Sequence, residues 1–333
     1  MIKYAEPTIT AGDMVWIERV LATKWLTQGP IVPKLEDMVR EYVGAKYAVA
    51  FNSATSALFA AYTVTFEPGE KVWMTPVTFV ATASAAVHAS LEPVFTDMKE
   101  AENLAVVHMA GAWRGFEGKN VVEDAAHAFG SSGAFGRIGN CARSRVCVFS
   151  THAIKNFTTG EGGIATTNSK AAATGMRLLR DHGRVKGRCM IPGWNFRMTD
   201  IQAALGVSQL GAGSFKRFEE AKERRHAIAA EYTRELASIV ETPGPWSYDT
   251  FLHLYRVFTK KRDSLQRHLA KREIQTAIHY PLVYSQPAFR KSRRFNTELA
   301  EDEAKTCLSL PLHNNLTDED VATVIKAVKE WKR

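Results

Sequence analysis

The stretch Asn120-Val121-Val122-Glu123-Asp124-Ala125-Ala126-His127 joins a short apolar run to two carboxylates and a histidine. Short, wholly apolar runs suit strands buried on both faces of a sheet. Four more precede it: Tyr47-Ala48-Val49-Ala50-Phe51, Lys71-Val72-Trp73-Met74-Thr75, Pro93-Val94-Phe95-Thr96 and Ala105-Val106-Val107-His108. Val146-Cys147-Val148-Phe149 follows. A helical stretch from Thr55 comes after the first run, and strand and helix signals then alternate. That alternation predicts an α/β fold with a mostly parallel central sheet. Ligands of such sheets sit beyond the carboxyl ends of the strands. The polar residues just after each run are therefore the candidates for chemistry.

Outside this middle, Thr10 to Thr23 reads as a helix. Thr10 and Asp13 are spaced like a capping box, with Met14, Ile17 and Leu21 on one face. A charged amphipathic helix begins near Phe215 and carries Lys216, Glu219, Glu220, Lys222, Glu223 and Arg224. It is expected to lead from a large domain, 1–215, into a smaller α+β domain, 216–333. There a strand is expected over His253–Val257 and a helix over Ser264–Lys271. A final helix from Asp318 takes Thr317 as its N-cap.

The chain has 333 residues, 45% of them hydrophobic and 23% charged, enough apolar material for a core and too few charges for disorder. Its formal net charge is +8. The basic residues are scattered, apart from Arg290-Lys291-Ser292-Arg293-Arg294, which reads as a solvated face or as a surface that attracts phosphates. Nothing here demands nucleic acid. The four cysteines fit neither a metal motif nor a disulfide framework. No signal-like segment and no apolar run of about 18 residues is present. The expectation is a cytoplasmic protein without metal or membrane partner.

Four strand ends stand out. Asn52-Ser53-Ala54-Thr55-Ser56 runs from a strand into a helix, where free N–H groups and the helix dipole favour an anion; small residues there also serve close packing. Asp124 follows an apolar strand and can hold a proton on a pyridinium nitrogen, or cap a helix. His127 comes one turn later. Lys155 ends Phe149-Ser150-Thr151-His152-Ala153-Ile154-Lys155, ahead of the glycine-rich Thr158-Thr159-Gly160-Glu161-Gly162-Gly163. A partly desolvated lysine has a depressed pKa and can condense with an aldehyde; the plainer reading is a lysine beside a turn. Asn195 to Gly206 opens a further helix, capped by Thr199 or Asp200.

In this order, these segments resemble the DegT-like family of pyridoxal-phosphate (PLP)-dependent sugar-nucleotide aminotransferases over nearly the whole chain. Further likeness lies in Tyr4-Ala5-Glu6-Pro7, Leu26-Thr27-Gln28-Gly29, Ile278-His279-Tyr280-Pro281 and Ser309-Leu310-Pro311-Leu312-His313. The resemblance implies a fold type I PLP-dependent transferase. It implies that Lys155 condenses with the cofactor and shuttles a proton. Asp124 would pair with the ring nitrogen, His127 approach the ring hydroxyl and Phe79 stack on the ring. Ala54, Thr55 and Ser150 would bind the phosphate, with Asn195 reaching it from the partner subunit of a homodimer. Tyr4, Lys24, Trp25, Leu26 and Thr27, with His279, Tyr280 and Tyr284, would meet the nucleotide sugar.

The implied reaction carries an amine from glutamate to the C4 ketone of a UDP-4-keto-6-deoxy-N-acetylhexosamine. Another nucleotide (GDP or dTDP) or a C3 ketone is the alternative. Dehydratases of the family carry histidine where this chain has Lys155, and a non-catalytic sensor would not need Lys155, Asp124 and Ser150 together. One departure is visible: between Asp97 and Val121 the chain is about one helix short of the family pattern, below the usual length of a crossover.

Overall fold

The computed structural model describes residues 1–244, 246–247 and 249–331. Its ten strands of three or more residues are β1 (Tyr47–Phe51), β2 (Lys71–Met74), β3 (Glu92–Thr96), β4 (Asn103–Val107), β5 (Asn120–Asp124), β6 (Val146–Ser150), β7 (Gly163–Thr167), β8 (Tyr255–Phe258), β9 (Arg293–Phe295) and β10 (Cys307–Leu310). Eight of these form one sheet in the order β1-β7-β6-β5-β4-β2-β3-β9. β7 runs antiparallel to both neighbours, and the other adjacent pairs are parallel. The mostly parallel sheet is as expected. β7 is an addition: the glycine-rich stretch ends at Gly163, and the sequence reading assigns no element to Ile164-Ala165-Thr166-Thr167.

Both faces of the sheet are covered, so its middle strands are buried at every position of β6 and β7. Alternate residues go to opposite sides. Val122, Val146 and Val148 pack with Leu58 and Ala61 of α3 (Ala54–Thr63), Ala83 and Ala86 of α4 (Ala81–His88) and Met176 of α5 (Lys170–Arg180). Cys147, Phe149 and Ile164 pack on the other side with Leu35 and Val39 of α2 (Ile31–Val43) and Ala203 and Val207 of α6 (Asp200–Gln209). A third core joins Ile228 and Tyr232 of α7 (Lys216–Leu236), the antiparallel β8–β10 pair, Leu265 and Leu269 of α8 (Arg262–Ala270) and Val324 and Val328 of the C-terminal helix (Asp318–Trp331). The chain then comes back: Val283, Tyr284 and Phe289 join the first core, and β9 extends the large sheet beside β3.

Local chemistry explains the helix ends. The Thr10 N–H donates to Asp13 Oδ2 at 2.8 Å, completing the capping box at the start of α1 (Ala11–Thr23). The face of α1 differs from the sequence pattern. Met14 is 53% and Leu21 49% exposed, while Asp13 is buried. The reason lies far along the chain: Arg217 Nη1 donates to Asp13 Oδ1 at 2.8 Å, and Gln209 Nε2 to Asp13 Oδ2 at 3.1 Å. A buried carboxylate needs such donors, and meeting them turns the polar side of α1 inward.

The short region is thin. Residues 97–102 carry the chain from β3 to β4 with no helix, and residues 108–119 reach β5 with only a 3₁₀ turn at Met109–Gly111. The sheet there is covered by side chains of the loops: Leu104, Val106 and Val121 pack with Trp73, Ala101 and Phe116. No helix among the described residues is long and apolar enough to cross a membrane.

Candidate active site

Asp124 is the last residue of β5, and burial raises its pKa, against the bonds it accepts. Its Oδ2 accepts the hydroxyl of Thr82 at 2.7 Å, and its Oδ1 accepts the N–H of Ala126 at 3.1 Å. Thr82 in turn lies 2.9 Å from Thr78 Oγ1. Nothing in the residues around Thr82 announced this partnership.

Lys155 lies in the turn after β6, its N–H donating to the carbonyl of His152 at 2.9 Å. Burial pushes its ammonium down to about 8, and the charge of Asp124 opposes that fall. The same pair of charges acts in the other direction, Lys155 lowering Asp124. Among the described residues the Lys155 amine has no hydrogen-bond partner. The lysine and aspartate that the sequence singles out are thus brought into one site, Asp124 buried and Lys155 half-buried.

Histidines surround this pair. Burial first, and the Lys155 charge second, push His127 and His253 well below the usual imidazole value and His279 down to about 4. His127 Nδ1 accepts the N–H of Ala110 at 3.3 Å. A neutral ring that accepts at Nδ1 carries its proton on Nε2, which therefore donates to Tyr280 Oη at 3.1 Å. Tyr280 also lies 5.9 Å from Phe79, ring to ring, and His279 lies 5.7 Å from Tyr4. His279 Nδ1 meets Ser309 Oγ at 2.9 Å. Phe79, His127, His279, Tyr280 and Tyr4 therefore form one group. His253 belongs to it too, its ring 4.4 Å from that of His127; it lies just before β8 and not within the strand that the sequence predicts over His253–Val257.

The phosphate-site candidates lie at the N-terminus of α3. Ser53 caps it, its Oγ accepting the N–H of Ser56 at 3.1 Å. The N–H groups of Ala54 and Thr55 in that first turn have no acceptor among the described residues. Gly163 lets β7 pass close by: a Cβ there would stand 2.5 Å from the Ala54 nitrogen. Ser150, at the end of β6, accepts the His152 N–H at 3.3 Å.

Other candidates stand apart. Lys24, Trp25, Leu26 and Thr27 form an exposed segment, with Trp25 60% exposed. It contacts the start of α6, where Asp200 N–H donates to the Leu26 carbonyl at 2.9 Å. Tyr284 is buried in the first core, and its hydroxyl donates to Glu301 Oε1 at 2.8 Å. Asn195 is exposed, its carbonyl 3.4 Å from Asn52 Nδ2.

A half-buried amine without a hydrogen-bond partner, a buried carboxylate in its field and a helix start with free N–H groups suit three parts of one molecule: an aldehyde, a ring nitrogen and a phosphate. The site fits PLP, and with this sheet it defines a PLP-dependent enzyme of fold type I. The chain belongs to the DegT/DnrJ/EryC1/StrS aminotransferase family, whose model matches residues 7–112 and 117–329. It is a PLP-dependent sugar aminotransferase. The unmatched residues 113–116 fall in the thin crossover before β5.

Relatives agree over full length. The spore coat polysaccharide biosynthesis protein SpsC of Bacillus subtilis is 30% identical across 99% of this chain and 96% of its own length. The UDP-4-amino-4,6-dideoxy-N-acetyl-beta-L-altrosamine transaminase of Helicobacter pylori is 32% identical across 98% of this chain and 96% of its own. The solved structure of Helicobacter pylori PseC, an aminotransferase involved in the biosynthesis of pseudoaminic acid, matches with a TM-score of 0.90 at 28% identity, covering 99% of this chain and 98% of that one.

Proposed function

We propose that this enzyme transfers the amino group of glutamate to the C4 ketone of a UDP-4-keto-6-deoxy-N-acetylhexosamine, giving a 4-amino sugar nucleotide. The observation that carries the amino-transfer part is the Lys155 amine, half-buried, unbonded and brought down to about 8 by desolvation within the field of Asp124. The sugar and nucleotide rest on the name of the Helicobacter pylori transaminase.

PLP, when bound, supplies an aldehyde and a ring that accepts electrons. In this reading Asp124 holds the proton on the ring nitrogen, and Thr82 and the Ala126 N–H hold Asp124. Lys155 is the nucleophile toward the aldehyde. Once free, it takes a proton from the donor's α-carbon and later delivers one to C4 of the sugar. A pKa near 8 leaves an appreciable share of the amine neutral at neutral pH.

Ala54, Thr55 and Ser150 bind the phosphate, Phe79 covers the ring and His127 faces its hydroxyl. Asn195 of a second copy completes the phosphate site, so the working unit is a homodimer in the cytoplasm. Tyr4, His279 and Tyr280 meet the sugar from the Lys155 side. The exposed Lys24–Thr27 segment supplies the approach of the nucleotide, with Tyr284 acting only through packing. We also divide the chain at 215/216, with residues 282–295 returning to the large sheet.

The test is a panel of UDP-, GDP- and dTDP-linked keto sugars offered with glutamate, the amino sugar being read by mass spectrometry. Amination of the UDP-linked 4-keto sugar alone is the expected result. Preference for another nucleotide or for a 3-keto sugar overturns the substrate assignment, and no amination of any member overturns the reaction.

A further inference from the structure

The turn that carries Lys155 closes with its N–H on the His152 carbonyl at 2.9 Å. That bond sets the shape of the turn but not its place in the molecule. The next two side chains set the place. Phe157 is buried, its ring packed on those of Phe129 at 4.7 Å and Phe218 at 6.4 Å. Asn156, between Lys155 and Phe157, sends its amide to backbone. Its Nδ2 donates to the Phe129 carbonyl at 2.9 Å and to the Phe251 carbonyl at 3.4 Å.

Each of these carbonyls belongs to a segment that carries a histidine of the site. Phe129 lies two residues after His127, and Phe251 lies two before His253. The two imidazoles stack with centroids 4.4 Å apart. One amide therefore joins the lysine turn, the turn after β5 and the segment that leads into β8. The partners stand 27 and 95 residues away in sequence, so neither bond is a local turn contact.

This clasp needs an amide. Two carbonyl oxygens call for two N–H donors, and Nδ2 supplies both from one atom. Turning the amide over would set Oδ1 against two oxygens, so the acceptors dictate its orientation. A hydroxyl would offer one donor and a carboxylate none. Gly111 leaves space for the Phe251 carbonyl, since a Cβ there would stand 2.1 Å from its oxygen.

The Phe251 segment is also held by other bonds. Ser131 Oγ accepts the Phe251 N–H at 2.8 Å, the Ser132 N–H donates to the Asp249 carbonyl at 2.9 Å, and the His253 N–H donates to the Ala110 carbonyl at 2.9 Å. It is a fixed support, and Asn156 attaches the lysine turn to it.

We propose that Asn156 is a positioning residue for Lys155: its amide clasps the Phe129 and Phe251 carbonyls and so holds the lysine half-buried in the site. No covalent bond changes and no proton is transferred. Its bearing on amino transfer rests on Lys155 being the lysine that condenses with PLP.

The consequence is a titration. A lysine kept from water titrates low, and one released to water returns toward its ordinary value. Asn156→Leu keeps the size and charge of the side chain and removes both donors. Ser131→Ala is the comparison, because it loosens the same support without touching the lysine turn. The full-length, cofactor-free proteins are labelled with acetic anhydride across a pH series, and Lys155 acetylation is read by peptide mass spectrometry.

Asn156→Leu is expected to raise the Lys155 midpoint by about one pH unit, with Ser131→Ala leaving it at the wild-type position. An unchanged midpoint in Asn156→Leu overturns the proposal. An equal rise in both variants also overturns it, since general loosening would then suffice. Should Asn156→Leu not fold, the wild-type chain decides. The two Nδ2 protons of Asn156 are expected to exchange with solvent at least about tenfold more slowly than those of the exposed Asn296. Equal exchange overturns the clasp. Borohydride reduction with PLP, followed by peptide mapping, keeps the two ideas separate. An adduct on another lysine overturns the premise, whereas an adduct on Lys155 with an unmoved midpoint overturns only the role of Asn156.

Discussion

Glu123 and Asp124 are consecutive carboxylates at the end of β5, both buried, and the pleat sends them to opposite faces of the sheet. On one face, Glu123 Oε2 accepts from His108 Nε2 at 2.7 Å and its Oε1 from the Ser144 hydroxyl. His108 Nδ1 accepts the Arg114 N–H at 3.0 Å, and the network closes on itself. On the other face Asp124 has equally good donors but looks onto Lys155 and a group of neutral imidazoles. Burial and hydrogen bonding do not separate the two. The unbonded amine opposite Asp124 does, and it turns one carboxylate into a chemical group while its neighbour remains a brace.

The largest expected effect removes that amine. Lys155→Ala should cut amino transfer by about 10⁴-fold, the upper range for a group that moves protons in the transition state. It should also lose the cofactor's covalent attachment, seen in its absorption spectrum. Turnover close to wild type would erase the distinction between the two faces.

Paired substitutions sharpen it. Asp124→Asn should fold and lower turnover by about 10²-fold, because an electrostatic partner of the developing charge is gone. Glu123→Gln should leave turnover within a few-fold. It should cost about 1–3 kcal/mol in denaturant unfolding, since it disturbs a buried network. The reverse pattern would mean that the faces have been assigned the wrong way round.

Much of this was legible in the sequence, for a physical reason. Asp124, Lys155 and the start of α3 each follow an apolar run, and the end of a strand is where a parallel sheet exposes polar groups. The rest depended on pairings between distant segments. Thr82 holds Asp124 across a separation of 42 residues, and Arg217 turns Asp13 inward across 204. His253 lies inside an apolar stretch, and only its stacking on His127 distinguishes it from a core residue. β7 was hidden despite the strand formers Ile164, Thr166 and Thr167, because it follows directly on the glycine-rich stretch, and its place between β1 and β6 supplies what the local sequence does not show. Met14 and Leu21 have the spacing of a buried face and lie exposed, because periodicity does not say which side of a helix will meet a partner.

A smaller effect concerns stability. Lys155 titrates near 8 in the folded protein, below its ordinary value of 10.5. The unfolded chain therefore binds more protons between those limits. The penalty for burying the ammonium is fully present below pH 8 and is relieved as pH rises toward 10.5. Cofactor-free protein should gain about 3 kcal/mol across that window relative to Lys155→Met, in which the term is absent. Parallel pH profiles for the two proteins would show that Lys155 is more hydrated than its surroundings imply.

The finest test leaves both carboxylates in place. Thr82→Val removes the hydroxyl that donates to Asp124 Oδ2 at 2.7 Å and leaves the Ala126 N–H on Oδ1. It also leaves Thr78 Oγ1 without its 2.9 Å neighbour, in a site where both threonines are buried. The loss of one donor to a charged group is expected to cost about 1.5–3 kcal/mol in the carboxylate form. That loss raises the Asp124 pKa further, in the direction burial already drives it. Turnover should therefore fall several-fold at low pH and recover as pH rises, with the acid limb of the profile displaced upward. Ser144→Ala, the matching deletion on the Glu123 side, should leave that limb where it is. If both deletions displace it equally, the carboxylate that governs the limb is not singled out by its face, and the comparison between Glu123 and Asp124 fails at its most sensitive point.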